Sequence, residues 1–598
     1  MKRTVFVILV VLTVAGGLAL AQVMNAAPPV APPIRYGEPS AGAYAPPHWV
    51  SKEPRHYDLT DWRRVIDSTW GPGLAVEQKL AIFDLVWQTI DSNFACFNNV
   101  EVNWDSLRTV YRAEIEDTVS RGRFAAIMNY LGLALREGHT NFRDLNVNDS
   151  TALLPGVPVW AIGAWWDVGH FGAALTPLPD SSLLVYRVAS GNPLGLERGD
   201  VVLGYDRRPW TEILRELQAA QLPVSRWWAW GSAGSSMTYS LLNAAGLNWH
   251  LFDTIDIVRY STGDTVHLPT SLLAGQSTNV LATDQIDIPG VPMPDSSPVR
   301  AASYGIVSGT RIGYIYVWRW WDNAQAEFYD AVNALVGDTS LAGIIIDFRY
   351  NEGGNMYMST PGLQFLFRDS VQTICFSVRS GPHDRLAMKV AWPASYFVIP
   401  GNGIEYDKPI AVLVGPAAIS SGDQVALRLT FHPNVRTFGK STNAAFNSPS
   451  EFTVYDGWYG RYATAEACPA SDTLYYLTRR EFPVDFPVWH TRDAVARGED
   501  TVVSAAIDWI DSGGAIAEEP QTTAPTTQPA TTIIRGVLII GHRGQRTGDR
   551  AELLDISGRR VLDLKPGPND VSRLSPGIYF VREAQAQTQV VRKVVVAE

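Results

Sequence analysis

The feature that most constrains this chain is an alternation of apolar runs and helical patterns between residues 313 and 438. Gly343 to Phe348 is apolar throughout except for the acid Asp347 near its end, a run suited to a strand buried on both faces. Gly313 to Val317 reads as a strand, Asn323 to Val336 as a helix and Lys408 to Val414 as a second buried strand. Ser421 to Leu429 follows as a helix and Val435 to Phe438 as a further strand. Strands alternating with helices imply βαβ units with right-handed crossovers, so an α/β core is expected here.

A chain of 598 residues is too long for one hydrophobic core, and its 46% apolar and 18% charged composition is that of a globular protein. Residues 1–21 have the form of a secretory signal: Lys2 and Arg3, an apolar run from Val5 to Leu20, and a small-x-small site at Ala19-Leu20-Ala21. Residues 22–57 form a Pro-rich arm, with Pro-Pro pairs at 28, 32 and 46, unable to make a helix or a central strand. From 58 to 150 the pattern is helical: Phe124, Ile127, Met128, Leu131 and Leu135 share one face, and Gly138 is expected to end their helix at C′. Residues 151–300 mix short β-like runs with many Trp and Gly. After residue 515, a Thr/Pro linker to 532 leads into short strands and tight turns at 533–598, expected to form a small β-sandwich.

The formal net charge of -11 and the lack of clustered Lys and Arg argue against a nucleic-acid partner. No segment after the leader is apolar for long enough to make a stable transmembrane span, so an exported protein, secreted or held at the cell surface, is expected. Cys96, Cys375 and Cys468 show no metal-ligand spacing; one disulfide is possible, buried thiols are the simpler expectation, and neither a metal nor a cofactor is implied.

Three blocks carry candidate chemistry. Ser420-Ser421-Gly422-Asp423 lies between a buried strand and a helix, where unpaired N–H groups and the helix dipole favour an oxyanion, although S-x-x-D also resembles a helix cap. Asp347 to Asn355 contains Gly353-Gly354, adjacent glycines that let bare backbone N–H groups approach a ligand; a plain strand-to-helix turn with Asp347 paired to Arg349 is the competing reading. Glu137-Gly138-His139-Thr140 supplies an imidazole, the usual base for a serine nucleophile, and a lone His there would otherwise complement a helix end.

The order of EGHT, GYIYV, DFRYNEGGN, SSGD and FGKST resembles the tail-specific (C-terminal processing) serine protease family, particularly its tricorn-core-like branch, over roughly residues 58–515. The resemblance implies a crotonase-like α/β core at 301–515 behind a helical N-terminal part, with a PDZ-like domain at 151–300. Gly195 to Tyr205 is itself similar to the central segment of PDZ domains. By this resemblance the chain is a serine peptidase acting on polypeptides, with Ser420 as nucleophile, His139 as base, and the N–H of Ser421 with that of Gly353 or Gly354 as oxyanion hole. Glu481 and Asp485 become candidates to orient the base. The lysine of the family's other branch would fall at Ala445, and Lys440 is offset from it. Glu352 replaces the first Gly of the family's glycine block and places a carboxylate near the proposed oxyanion.

Residues 553–564, 569–582 and 593–598 look like type A C-terminal sorting domains of the type IX secretion system, which implies secretion machinery as a partner; a generic adhesion sandwich is the alternative. Two other functions compete with peptide hydrolysis. One is a catalytically silent ligand-binding protein, since interphotoreceptor retinoid-binding proteins resemble the same family. The other is glycan binding through the Trp clusters at 227, 228 and 230 and at 318, 320 and 321.

Overall fold

The computed structural model describes residues 59–514, apart from 101, 146, 148–171, 222–230, 247–251, 274–285 and 294–299, and much of 532–596. The signal and Pro-rich arm expected at 1–57, the Trp cluster at 227–230 and almost all of the 516–532 linker lie outside the described residues.

Four helices open the described chain: α1 (Leu59–Trp70), α2 (Val76–Asn93), α3 (Trp104–Glu116) and α4 (Arg121–Ala134). Ser120 caps α4 by accepting the N–H of Arg123 at 3.0 Å, and Phe124, Ile127, Met128, Leu131 and Leu135 are buried as their spacing predicts. The helix ends earlier than expected. Leu135 is its C-cap and Arg136, at φ 46°, takes the left-handed position expected of Gly138. Gly138 meets a different demand, because a Cβ there would lie 2.7 Å from that of Ala445. The chain then enters β1 (Asn141–Asp144).

The middle region is a mixed domain around one antiparallel sheet. Its strands are β2 (Ala173–Pro177), β3 (Leu183–Val188), β4 (Val201–Tyr205), β5 (Arg208–Pro209), β6 (Thr254–Val258) and β7 (Thr265–Pro269), ordered β2-β3-β4-β6-β7 with β5 on β4. Two helices, α5 (Trp210–Ala220) and α6 (Ala233–Gly246), belong to this part of the chain. The Gly199-Asp200 pair has a local cause: Gly199 turns at φ 88°, and the buried Asp200 accepts the N–H groups of Glu197 and Tyr260 and pairs with Arg259 at 2.7 Å.

The core contains β8 (Ala302–Ile306), β9 (Ile312–Val317), α7 (Ala324–Gly337), β10 (Gly343–Asp347), α8 (Thr360–Leu363), β11 (Val371–Gln372), β12 (Ile374–Arg379), β13 (Met388–Trp392), β14 (Val398–Ile399), β15 (Ile410–Val414), α9 (Ser421–Leu429), β16 (Val435–Gly439), β17 (Ser448–Thr453), β18 (Trp458–Pro469), α10 (Arg492–Ala496) and α11 (Thr501–Asp511). One sheet runs β16-β15-β10-β9-β8, parallel except for β8 at its edge. Every residue of β10 is buried. Phe328 and Val332 of α7 pack on one side of this sheet, Val503 and Trp509 of α11 on the other.

The crotonase-like core expected from the sequence is corrected by what lies beside that sheet. A second, antiparallel sheet is assembled from β1, β18, β12 and β13, with β17 on β18, and helices α2 and α4 pack against β18. Its strands come from residues 141–144, 374–379, 388–392 and 448–469, so no local alternation of strand and helix announces it. The result is a helical N-terminal domain fused to a mixed α/β core. The Cys375–Cys468 disulfide joins facing residues of β12 and β18, while Cys96 is a buried free thiol.

Residues 516–598 make a separate compact unit. It holds a five-stranded sheet and a two-stranded one, with Leu553, Leu564, Val581 and Val594 in its small core.

Candidate active site

Strand β15 delivers the chain to Ser420, which stands at φ 59° and ψ -119°, outside the ordinary backbone regions for a residue with a side chain. Two contacts hold it there: Asp423 accepts its N–H, and its carbonyl accepts that of Gln424 at 3.0 Å. Its side chain makes no capping hydrogen bond to α9, so the cap considered for S-x-x-D is not formed by Ser420. Asp423 turns inward instead and accepts the N–H groups of Ala444 and Ala445 at 3.1 and 3.0 Å. Burial pushes the Asp423 carboxyl up to about 7, against the hydrogen bonds from Thr442 and these backbone groups.

The glycine turn stands directly against the serine. A Cβ on Gly353, at φ 83°, would lie 2.7 Å from that of Ser420, so a side chain is excluded there on two counts. Asn351 Oδ1 accepts the Gly353 N–H at 2.9 Å. The N–H groups of Gly354 and of Ser421, the first residue of α9, have no acceptor among the described residues. Gly354 is locked by its neighbours: its carbonyl accepts from Ser421 Oγ at 2.6 Å, and its strand-like pairing is with Trp320.

His139 reaches this region through the loop after β16. Gly138 packs on Asn443 and Ala445, the second of which is bonded to Asp423, so one loop touches both the EGHT turn and the first turn of α9. His139 is buried, with Nδ1 3.3 Å from Glu137 Oε1 and its backbone N–H donated to Glu137 Oε2 at 3.0 Å. Thr140 Oγ1 and Asn447 Nδ2 also donate to Glu137, at 2.7 and 3.2 Å. Burial raises the Glu137 carboxyl, but His139 and these donors outweigh it and hold the group below the usual carboxylate range. Burial depresses the His139 imidazole below its ordinary value although Glu137 favours the cation. Among the described residues no hydrogen bond joins His139 to Ser420; the ring nitrogen that is bonded goes to Glu137.

The other candidates lie elsewhere. Glu481 Oε1 accepts the N–H groups of Ala233 and Gly234 at the start of α6, at 2.7 and 3.2 Å. Asp485 Oδ2 accepts the N–H and Oγ1 of Thr437 at 2.8 and 3.1 Å. Lys440 points its Nζ to the carbonyl of Pro177 at 3.3 Å, over the ring of Trp489, and burial lowers its ammonium to about 8. The acid that contacts the histidine had a signal in the sequence, Glu137 two places before His139 inside the block already singled out.

Residues 311–474 match the family model Peptidase family S41, and residues 76–132 match Tricorn protease C1 domain. The nisin-resistance protein of Lactococcus lactis subsp. lactis is 26% identical over 194 residues, which cover 32% of this chain and 57% of that protein. The chain thus matches little more than half the length of that relative. Among solved structures, mature CPAF has a TM-score of 0.52 at 12% identity, covering 74% of this chain and 99% of its own. Mature CPAF complexed with lactacystin gives 0.51 at 11% identity, covering 73% and 97%. Both share the helical N-terminal domain and mixed α/β core described above, which is the architecture that replaces the crotonase-like expectation.

The family match falls on the α/β core that carries Ser420 and the glycine turn, and the fold is shared with mature CPAF. Residues 311–474 are thus similar to the S41 peptidase family and residues 76–132 to the C1 domain of tricorn proteases.

Proposed function

We propose that the chain hydrolyses polypeptides through an acyl-enzyme on Ser420. The supporting observation is the turn at Ser420, where a strained serine faces Gly353 and stands beside the unspent N–H groups of Gly354 and Ser421. In this reading His139 Nε2 takes the proton as Ser420 Oγ attacks the scissile carbonyl, and Glu137 holds Nδ1 to fix the tautomer. The two N–H groups receive the oxyanion. Histidine then protonates the leaving amine, and a water activated by the same ring releases the acid. Catalytic hydrogen bonds are commonly long before substrate binds, which accommodates the missing Ser420–His139 contact.

Glu137 takes the orienting role in this reading because it alone of the three acids is bonded to the His139 ring, while Glu481 Oε1 is engaged with Ala233 and Gly234 and Asp485 Oδ2 with Thr437. Glu352 is the observation that favours a catalytically silent, ligand-binding protein, since an ionised carboxylate beside the turn would oppose an oxyanion. Burial pushes it up to about 7, so it is largely neutral in mildly acidic solution.

The test is labelling of the folded protein by a fluorophosphonate, with casein hydrolysis measured in parallel. Labelling at Ser420 and loss of both signals in Ser420→Ala are expected. Binding of peptides without labelling or cleavage would favour the silent alternative.

Export by the residue 1–21 signal and engagement of secretion machinery by 533–598 belong to the same proposal. Among the described residues no helix is long and apolar enough to cross a membrane. Removing 533–598 is expected to leave casein hydrolysis intact and change where the protein accumulates. A truncated protein that is folded but inactive would refute that division of labour.

A further inference from the structure

Glu352 stands where a peptidase has reason to avoid a carboxylate, and its surroundings suggest what it does there. Its backbone is fixed on both sides: its N–H donates to the carbonyl of Trp318 at 2.8 Å, and the next residue, Gly353, packs against Ser420. The side chain is half-buried, and its carboxylate accepts no hydrogen bond from any described residue. It stands on the Trp318-Arg319-Trp320-Trp321 wall, which runs beside the glycine turn through the Trp320 N–H to Gly353 carbonyl bond at 2.7 Å.

One cation lies near it, a guanidinium whose buried Nε and Nη2 have no hydrogen-bond partner among the described residues. Arg319 is the cation whose field reaches Glu352, but its guanidinium lies over the rings of Trp318 and Trp321 and pairs with Asp322 at 3.1 Å. Of the other titratable groups of the site, Arg349 pairs with Asp347 and Asp500, Tyr350 is bonded to Tyr186, His139 to Glu137, and Asp423 to Ala444 and Ala445. A half-buried carboxylate that accepts no hydrogen bond from a described residue, one position before the glycine that packs against Ser420 and bonded through its backbone to Trp318, suits a cationic side chain with a long apolar stem.

We infer that Glu352 is a specificity-determining residue that accepts the ammonium or guanidinium of a substrate Lys or Arg beside the scissile bond. The inference rests on the peptidase reading of Ser420 and names a substrate class for it. Pairing with a substrate cation neutralises the carboxylate, so its field no longer opposes the oxyanion. A substrate with a neutral residue in that position leaves the charge unpaired whenever Glu352 is ionised. The discrimination therefore falls largely on the transition state and on kcat, not on binding alone.

The experiment compares peptides differing only in Lys or norleucine on either side of one cleavage site, at pH 6 and pH 8.5, with wild type and Glu352→Gln. For wild type the Lys peptide is expected to be favoured in kcat/KM by about tenfold or more at pH 8.5, and by less at pH 6 where the carboxyl is protonated. Glu352→Gln should bring the ratio near one at both pH values and should speed cleavage of the norleucine peptide at pH 8.5. A lysine preference that is the same in Glu352→Gln and wild type, or no preference in wild type at pH 8.5, overturns the inference while leaving the peptidase reading in place. Failure of fluorophosphonate labelling together with no cleavage of either peptide overturns both.

Discussion

Glu137 Oε1 lies 3.3 Å from Nδ1 of His139, and the other oxygen of the same carboxylate accepts the histidine's own backbone N–H at 3.0 Å. An acid two residues before the proposed base thus holds both its main chain and its ring.

That geometry predicts a large loss when the carboxylate becomes an amide. Glu137→Gln keeps the shape but can offer Nδ1 a donor in place of an acceptor, which favours the tautomer protonated at Nε2, where the serine proton can no longer be accepted. By analogy with other serine peptidases, kcat should fall by roughly a hundredfold to ten-thousandfold with KM little changed. Steady-state kinetics on a peptide substrate decide it; a loss under about tenfold would make Glu137 a structural residue only.

How much of this was legible in the sequence varied with how local each feature is. The parallel sheet was readable because β9, β10, β15 and β16 are each short apolar runs with helices between them, and burial on both faces leaves that mark. The antiparallel sheet was not, because β1 and β18 lie more than 300 residues apart and pair through main-chain bonds that carry no periodicity of their own. Within the site, Ser420 and His139 stood out as residue types at helix ends. The cap that S-x-x-D offered as the competing reading is formed only in part: Asp423 accepts the Ser420 N–H, and its bonds to Ala444 and Ala445 depend on a loop that folds back from beyond β16. Arg136 took the left-handed turn assigned to Gly138, since the glycine was needed where Ala445 approaches.

Glu466 gives a prediction about stability. It is fully buried in β18, and burial, reinforced by the charge of Glu137, pushes its carboxyl up to about 8. In the unfolded chain it would titrate near ~4.3, so between these values the folded state holds a proton the unfolded state has released. Its contribution to stability is whole below pH ~4 and is lost as pH rises through the folded value, with a slope approaching ~1.4 kcal/mol per pH unit. Glu466→Gln cannot titrate and should flatten the fall in stability between pH 5 and pH 8. Urea unfolding at several pH values checks it, and parallel curves for the two proteins would show that Glu466 is already ionised in the fold.

The disulfide supplies a third. Cys375 and Cys468 are 93 residues apart and staple β12 to β18, the strand against which α2 and α4 pack. Closing a loop of that length restricts the unfolded chain, and replacing both cysteines by serine should cost roughly 2–5 kcal/mol. Urea midpoints of the oxidised protein and of the double variant measure it. Equal midpoints with equal slopes would mean that the bridge does not form in the mature protein.

The most exposed prediction concerns which group takes the proton from Ser420. Two bases compete for that role, His139 and Lys440, and their surroundings move their acid limbs in ways that can be told apart. Only a neutral imidazole accepts a proton, so activity carried by His139 rises with pH through the pKa of that ring. Burial depresses it, which places the limb of kcat/KM below the ordinary histidine value of about 6.5. A lysine must also be neutral to act, and the Lys440 ammonium, lowered by burial to about 8, would put the limb about there. A substrate with a basic residue at the cleavage site keeps Glu352 from adding a fall of its own near neutrality. Ser420→Ala and His139→Ala should each remove activity by roughly a thousandfold or more, and the double variant should be scarcely worse, because the two act as one unit. Lys440→Ala should keep most of the activity, since its Nζ is engaged with Pro177 and Trp489. If Lys440→Ala is dead, His139→Ala is active and the limb lies near 8, the proton goes to the lysine and the Glu137–His139 pair is only part of the scaffold.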